Sequence, residues 1–142
     1  PEQIFEHPER ELTRRFIRRL KVLEIPVEEK VFDFIGAGSE IDRYCMKNDI
    51  PPRTKYHIRL CFEELVQQIL ASREEVYPIR FVAEYTAEGE GAQITVSYGG
   101  GRFDPADTDN ELSYILLKKT AQDVRYTRDE SAKLPNIVEV TV

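Results

Sequence analysis

Two side chains four residues apart, Glu64 and Gln68, are the first candidates for chemistry in this sequence. On a helix they share one face, where a carboxylate could activate a water molecule and an amide oxygen could ligate a hard cation. Three consecutive glycines, Gly99–Gly101, follow a predicted strand, and a loop of this kind lets backbone amides approach phosphates. Together these features predict the outline of a nucleotide pocket.

Each of these features also has a structural interpretation, which the sequence favours. Glu64 and Gln68 could be solvated side chains of a helix, and the glycines could form a turn or a bulge. Tyr98 alternates with Ile94 and Val96, so we expect its ring to point inward as part of the core.

The other reactive side chains are isolated in the sequence. His7 and His57 have no clustered ligands or nucleophile nearby, which predicts surface or capping roles. Cys45 and Cys61 have no partner at metal-ligand spacing and are expected to be buried, reduced thiols. We therefore expect no metal site and no catalytic residue.

Composition narrows the classes of partner. The chain has 142 residues, 41% of them hydrophobic, which fits one ordinary domain with a real core. Its net charge of −6 disfavours nucleic acid, because phosphate binding needs a basic surface. No apolar run approaches the roughly 18–20 residues of a membrane span, and no secretory signal is visible. These observations predict a cytoplasmic location without direct membrane insertion.

Hydrophobic periodicity predicts the elements of the first half of the chain. An amphipathic N-terminal helix ends at Pro26, and its apolar stripe consists of Leu12, Phe16, Leu20 and Leu23. A strand is predicted over Glu29–Ile35. A helix from Ser39, which resembles a capping-box residue with Asp42, should continue to about Asn48. The strongest helix pattern follows over about 53–72.

The second half of the chain alternates strands with one further helix. Strands are predicted over 79–86, 93–98, 124–128 and 137–142, with a helix over about 110–122. Hairpin-linked strands with helices grouped between them predict an α+β fold. We expect one mostly antiparallel sheet, covered on one face by helices and preceded by the N-terminal helix.

Three segments resemble the histidine-kinase-like ATPase domain, and among its branches the small anti-sigma-factor serine kinases. They are Glu-Glu-Leu-Val-Gln-Gln at 63–68, Ile-Thr-Val-Ser-Tyr-Gly-Gly-Gly-Arg-Phe-Asp-Pro at 94–105 and Gln-Asp-Val-Arg-Tyr at 122–126. The similarity covers about residues 28–142. It implies an α/β sandwich in which ATP lies between sheet and helices, with pocket positions at Glu64, Gln68, Tyr98, Gly100, Asp104 and Ser113.

Three departures from the family pattern imply that this pocket is degenerate. The family's magnesium-binding Asn is replaced by Gln68, whose extra methylene misplaces its oxygen. Its adenine-binding Asp is replaced by Tyr98, and losing one charged hydrogen bond costs about 1.5–3 kcal/mol. The junction between lid and helix, Asp109 to Ser113, contains no glycine. We therefore expect this chain to be no enzyme and to bind no cofactor.

The opening segment resembles a second family. Pro-Glu-Gln-Ile-Phe-Glu-His-Pro at 1–8 and Thr-Arg-Arg-Phe-Ile-Arg-Arg-Leu at 13–20 are similar to the closing segment of ATP-binding subunits of polar amino-acid importers of the ATP-binding-cassette type. No Gly-Lys-Ser/Thr phosphate-binding motif is present. The resemblance implies that residues 1–25 close a transporter ATPase subunit and that residues 28–142 form an appended degenerate domain.

The two resemblances together give a functional hypothesis. This chain would be a non-catalytic regulatory or interaction domain at the C-terminus of the importer's ATP-binding subunit, while ATP and magnesium belong to the parent ATPase domain. The implied partners are that ATPase domain, a protein or small-molecule effector and a second copy in a homodimer, at the inner face of the cell membrane. The alternatives are an anti-sigma-factor-like serine kinase and a module that sequesters a partner.

Overall fold

The computed structural model describes residues 22–86 and 91–142. Its five strands are β1 Val22–Val27, β2 Ile79–Thr86, β3 Gly91–Tyr98, β4 Asp123–Arg128 and β5 Asn136–Thr141. Its helical elements are α1 Phe34–Lys47, α2 Pro52–Cys61, a π-helix over Phe62–Leu70, a 3₁₀ turn over Pro105–Asp107 and α3 Glu111–Thr120.

The strands form one sheet in the order β1-β2-β3-β5-β4, and all four pairings are antiparallel. This confirms the predicted α+β class and the antiparallel sheet. The four strands predicted in the second half of the chain occur where expected, within two residues at each end.

Alternation along the strands separates the two faces of the sheet. One face of the sheet is turned toward the core. Five residues, one from each strand, lie side by side across the middle of this face: Ile25, Phe81, Val96, Val138 and Tyr126. The helices pack against this face: the rings of Phe62 and Phe81 meet edge to face at 5.1 Å. The Tyr44 hydroxyl of α1 accepts a hydrogen bond from the backbone N–H of Tyr85 at 3.1 Å. Helices thus cover this face, as predicted.

The long helix predicted over 53–72 is present as α2 followed without a break by the π-helix. In the π-helix each backbone N–H donates five residues back, as Ala71 does to the carbonyl of Val66 at 2.8 Å. The buried residues of this segment are Phe62, Leu65, Val66, Ile69 and Leu70, and the ring of Phe62 packs on the sheet. Of this long helix, the α2 part packs against α1 and the π-helix packs against α3.

The strand predicted over Glu29–Ile35 is wrong, because α1 already begins at Phe34. Asp33 caps this helix: its carboxylate accepts a hydrogen bond from the backbone N–H of Gly36 at 2.9 Å. Phe32 and Phe34, expected on one face of that strand, instead lie before and at the start of α1, where their rings contact each other edge to face. Ser39, the predicted cap, lies inside the helix.

The edge strand β1 occupies the end of the predicted N-terminal helix. Leu23 was expected on the apolar stripe of that helix, but it alternates with Ile25 and Val27 as an inward residue of β1. The strand therefore crosses the boundary expected between residues 25 and 28. The rest of the predicted helix lies outside the described residues. Among residues 22–86 and 91–142, we find no helix with the length and apolar character that crossing a membrane requires.

Candidate functional site

The glycine loop leaves the end of β3 and turns sharply against the segment that precedes β2. The backbone N–H of Gly99 donates to the carbonyl of Val76 at 2.7 Å. Gly100 has φ of +84°, and a Cβ there would lie 2.7 Å from the carbonyl oxygen of Glu75. Glycine is required at this position because both the left-handed backbone and the close approach exclude a side chain.

The carbonyls of this loop converge on one buried amide, that of Asn136. Its Nδ2 donates to the carbonyls of Gly99 at 3.0 Å and Gly101 at 3.1 Å. Its Oδ1 accepts hydrogen bonds from the hydroxyl of Tyr126 at 2.5 Å and from Nη1 of Arg128 at 3.1 Å. Asn136 has no exposed surface, so this amide fastens the loop to the inner face of β4 and β5.

The orientation of the loop matters for its chemistry. A phosphate-binding loop turns backbone N–H groups toward the ligand, whereas here carbonyl oxygens point at the buried centre of the site. The nearby guanidinium of Arg128 is also engaged, by the carbonyl of Gly100 at 3.2 Å and by Glu130. The hydrogen bond from Arg128 in turn lowers the pKa of the Glu130 carboxyl.

Tyr98 lies beside this amide at the end of β3, fully buried, so its predicted inward orientation is confirmed. Its hydroxyl donates to the backbone carbonyl of Phe103 at 2.6 Å and holds the loop after the glycines against the strand. The guanidinium of Arg73 stacks on the Phe103 ring, 3.8 Å from its centre. Burial raises the pKa of the Tyr98 hydroxyl, which is therefore a neutral donor.

Two further candidates have local structural roles in the following segment. The carboxylate of Asp104 caps the 3₁₀ turn by accepting a hydrogen bond from the backbone N–H of Ala106 at 2.9 Å. Ser113 is buried on the inner side of α3. The amide of Asn110, just before α3, donates to the backbone carbonyl of Gln68 at 3.4 Å.

Glu64 and Gln68 lie on the π-helix, away from the glycine loop's hydrogen-bond network. Glu64 is half-buried and the side chain of Gln68 is exposed. The structure thus groups Tyr98, Gly100 and Asp104 around one loop and leaves these two residues on another element.

Among the described residues, surface cavities lie elsewhere. One, of about 450 Å³, follows one face of α2 and is lined by Pro52, Lys55, Tyr56, Arg59, Leu60 and Glu63. A second, of about 320 Å³, includes Arg53, His57, Thr120 and Gln122. A third, of about 340 Å³, is lined by Glu29, Lys30, Glu74 and Tyr77. None of the three is lined by any of the six residues predicted for the nucleotide pocket.

Of the isolated reactive residues, His7 lies outside the described residues, and the other three can be placed. Cys45 and Cys61 are free, buried thiols, as predicted, and burial raises their pKa to about 11 and about 12. Burial and then the charge of Arg53 lower the pKa of His57. Within the two described ranges, we find no group of three or more His, Cys, Asp or Glu side chains arranged to hold a metal ion.

The sequence interpretation missed Asn136, the residue with the most hydrogen bonds at this site. One signal was available: Asn136 precedes Val138 and Val140 at a spacing of two, so a polar amide occupies an inward position of β5. A buried polar residue requires hydrogen-bond partners. The identity of those partners depends on the pairing of β3 with β5, which the sequence does not reveal.

Comparison with known proteins gives no family assignment. No protein-family model matches the chain, and no curated protein matches it.

Proposed function

We propose that this chain is a non-catalytic regulatory or interaction domain with a degenerate histidine-kinase-like ATPase fold. The parent protein would be the ATP-binding subunit of a polar amino-acid importer, with the domain at its C-terminus. The observation that carries the non-catalytic part is the closure of the glycine loop, whose carbonyls of Gly99 and Gly101 bind the buried amide of Asn136.

The closure opposes nucleotide binding in two ways. A triphosphate could use this loop only if the carbonyls of Gly99 and Gly101 left the buried amide of Asn136, and the nearby carboxylates of Asp104 and Glu75 would repel it. The Tyr98 ring fills the end of β3, and its hydroxyl already donates to Phe103. Opening the loop would break the hydrogen bonds of Asn136. It would therefore leave buried donors and acceptors, which are paired in the closed loop, without partners.

The proposed role assigns ATP and magnesium to the parent ATPase domain and gives this domain a binding function. Its partners would be that ATPase domain, an effector and a second copy of the chain. Attachment to the transporter complex would hold the domain at the cytoplasmic side of the membrane. The exposed surface of α3 supports an interaction role, since it presents two neighbouring large apolar side chains to solvent, Leu112 and Ile115.

Calorimetric titration of the 142-residue chain with magnesium-ATP tests the proposal. We expect no binding heat up to millimolar nucleotide. The double variant Tyr98→Asp with Gln68→Asn should not gain binding, because the loop carbonyls and the glycine-free junction before Ser113 are unchanged. Micromolar binding by the wild-type chain would contradict the proposal and support the alternative, a divergent serine kinase.

A further inference from the structure

The outward face of α3 combines apolar and charged side chains in an ordered way. Ser113 and Leu117 point inward and are buried. On the opposite side, Leu112 is 67% exposed and Ile115 is 51% exposed. The other residues of this outward face are exposed and charged: Glu111, Lys118 and Lys119.

The charges on this face run from acidic to basic along the helix. Glu111 lies in the first turn, and Lys118 and Lys119 lie in the last turn. This order suits the helix dipole of a single chain, but the dipole does not explain two large apolar side chains exposed between the charges. The face thus has an acidic end, an apolar centre and a basic end. Two copies of it placed antiparallel would bring opposite charges together at both ends.

We propose that this face of α3 is the interface with a second copy of the chain, in which the two α3 helices pack antiparallel about a two-fold axis near Ile115. With about 1.5 Å of rise per residue, Glu111 lies about 6 Å before Ile115 and Lys118 about 4.5 Å after it. With about 100° per residue, both residues lie on the same flank of the face. The two-fold axis therefore places Glu111 beside the partner's Lys118, twice.

The opposite flank is complementary in a different way. Leu112 and Lys119 lie there, so Leu112 of one copy packs on the aliphatic stem of the partner's Lys119. Ile115 meets its own symmetry mate at the centre. A closed two-fold interface of this kind uses the same patch on both copies and cannot extend into a filament.

The dimer is expected to be weak. A helix of ten residues buries less than the roughly 1,200 Å² of a standard stable interface, which corresponds to a transient contact. This inference rests on the proposed interaction role, but it does not depend on the state of the nucleotide pocket.

Sedimentation velocity of the full 142-residue chain, without nucleotide, tests the interface. We expect a reversible dimer over roughly 5–500 µM, the range that resolves a micromolar Kd. Glu111→Lys alone and Lys118→Glu alone should each be monomeric, because each places like charges together at both pairs. An equimolar mixture of the two variants should dimerise again, since the mixed pair restores both opposite-charge contacts.

Two further variants make the outcome decisive. Ile115→Asp should abolish dimerisation, whereas Lys47→Glu, a charge reversal at an exposed position in the last turn of α1, should leave it unchanged. A wild-type chain that stays monomeric would overturn the proposal. A dimer that survives Ile115→Asp, or a mixture that stays monomeric, would overturn it as well. Each of these results leaves the nucleotide titration unaffected, so the two proposals can fail separately.

Discussion

At the scale of single residues, Asn136 links β5 to two other parts of the described chain, β4 and the glycine loop. Its amide contacts the glycine loop after β3, while Tyr126 and Arg128 reach it from β4. A buried amide with every partner in place adds modestly to stability, but its loss leaves buried donors and acceptors unsatisfied. The loop conformation therefore depends on this one side chain.

Replacing Asn136 with Leu should lower the free energy of unfolding by about 2–4 kcal/mol, because the freed loop carbonyls and the Arg128 guanidinium lose a buried partner. Urea denaturation measures the change. The matched control is Asn110→Ala, which removes a single 3.4 Å hydrogen bond to the carbonyl of Gln68 and should cost less than about 1 kcal/mol. Equal losses in the two variants would contradict the role assigned to Asn136.

The two buried polar residues of this site differ in how far the sequence predicts them. The orientation of Tyr98 follows from alternation with its own neighbours in β3, and the structure confirms it. The loop carbonyls that Asn136 binds lie 35 and 37 residues earlier in the chain. They depend on strand register and on the path of the loop, neither of which a local pattern determines.

At the scale of elements, the region from β1 to α1 departs most from expectation. Phe32 and Phe34 flank a charged residue, a pattern typical of a strand. Asp33 instead caps α1, because its carboxylate accepts a hydrogen bond from the N–H of Gly36. The sequence does not predict the edge strand Val22–Val27, because Leu23 also fits a helical stripe and Pro26 indicates the end of a helix. Proline is tolerated there because β1 is an edge strand.

Removing this cap supplies a test at the element scale. Asp33→Ala should lower the free energy of unfolding by about 1 kcal/mol, the usual contribution of an N-cap carboxylate. Ser39→Ala is the matched control: Ser39 lies inside α1, so its replacement should change stability by less than about 0.5 kcal/mol. Thermal or urea unfolding of both variants compares them directly. A larger loss for Ser39→Ala would restore the capping box expected from the sequence.

The long central helix illustrates a partial success. Its apolar stripe predicts helix correctly, but it cannot distinguish an α-helix from the π-helix over Phe62–Leu70. Phe62, Leu65, Val66 and Ile69 fit the α-helical period, and the same residues are buried in the wider helix. The difference lies in backbone hydrogen bonding, to which side-chain periodicity is insensitive.

At the scale of the whole molecule, one face of the sheet carries the helical layer and its other face carries mixed polar and apolar side chains. The described part of this second face includes Glu24, Arg80, Thr95, Ile137 and Glu139. The helical layer exposes the α3 face, while the glycine loop is fastened to the core. This arrangement supports a domain that acts through its surface rather than through an internal pocket.

The transporter part of the proposal makes a prediction about the parent gene. Reading the coding sequence upstream of Pro1 should reveal, in frame, a nucleotide-binding domain with a Gly-Lys-Ser/Thr phosphate-binding motif. Such a motif would supply the ATP and magnesium chemistry that this chain is proposed to lack. A start codon immediately before Pro1 would contradict the transporter assignment and leave only the independent binding or kinase roles.

The most direct test of the central claim, that the glycine loop is closed against nucleotide, is nuclear magnetic resonance of the loop during titration with magnesium-ATP. We predict that the backbone amide signals of Gly99, Gly100 and Gly101 stay in place up to millimolar nucleotide. The side-chain amide of Asn136 should keep slow exchange with solvent throughout, as expected of a buried, hydrogen-bonded group. Saturable shifts of the three glycine signals, with faster exchange at Asn136, would contradict the account.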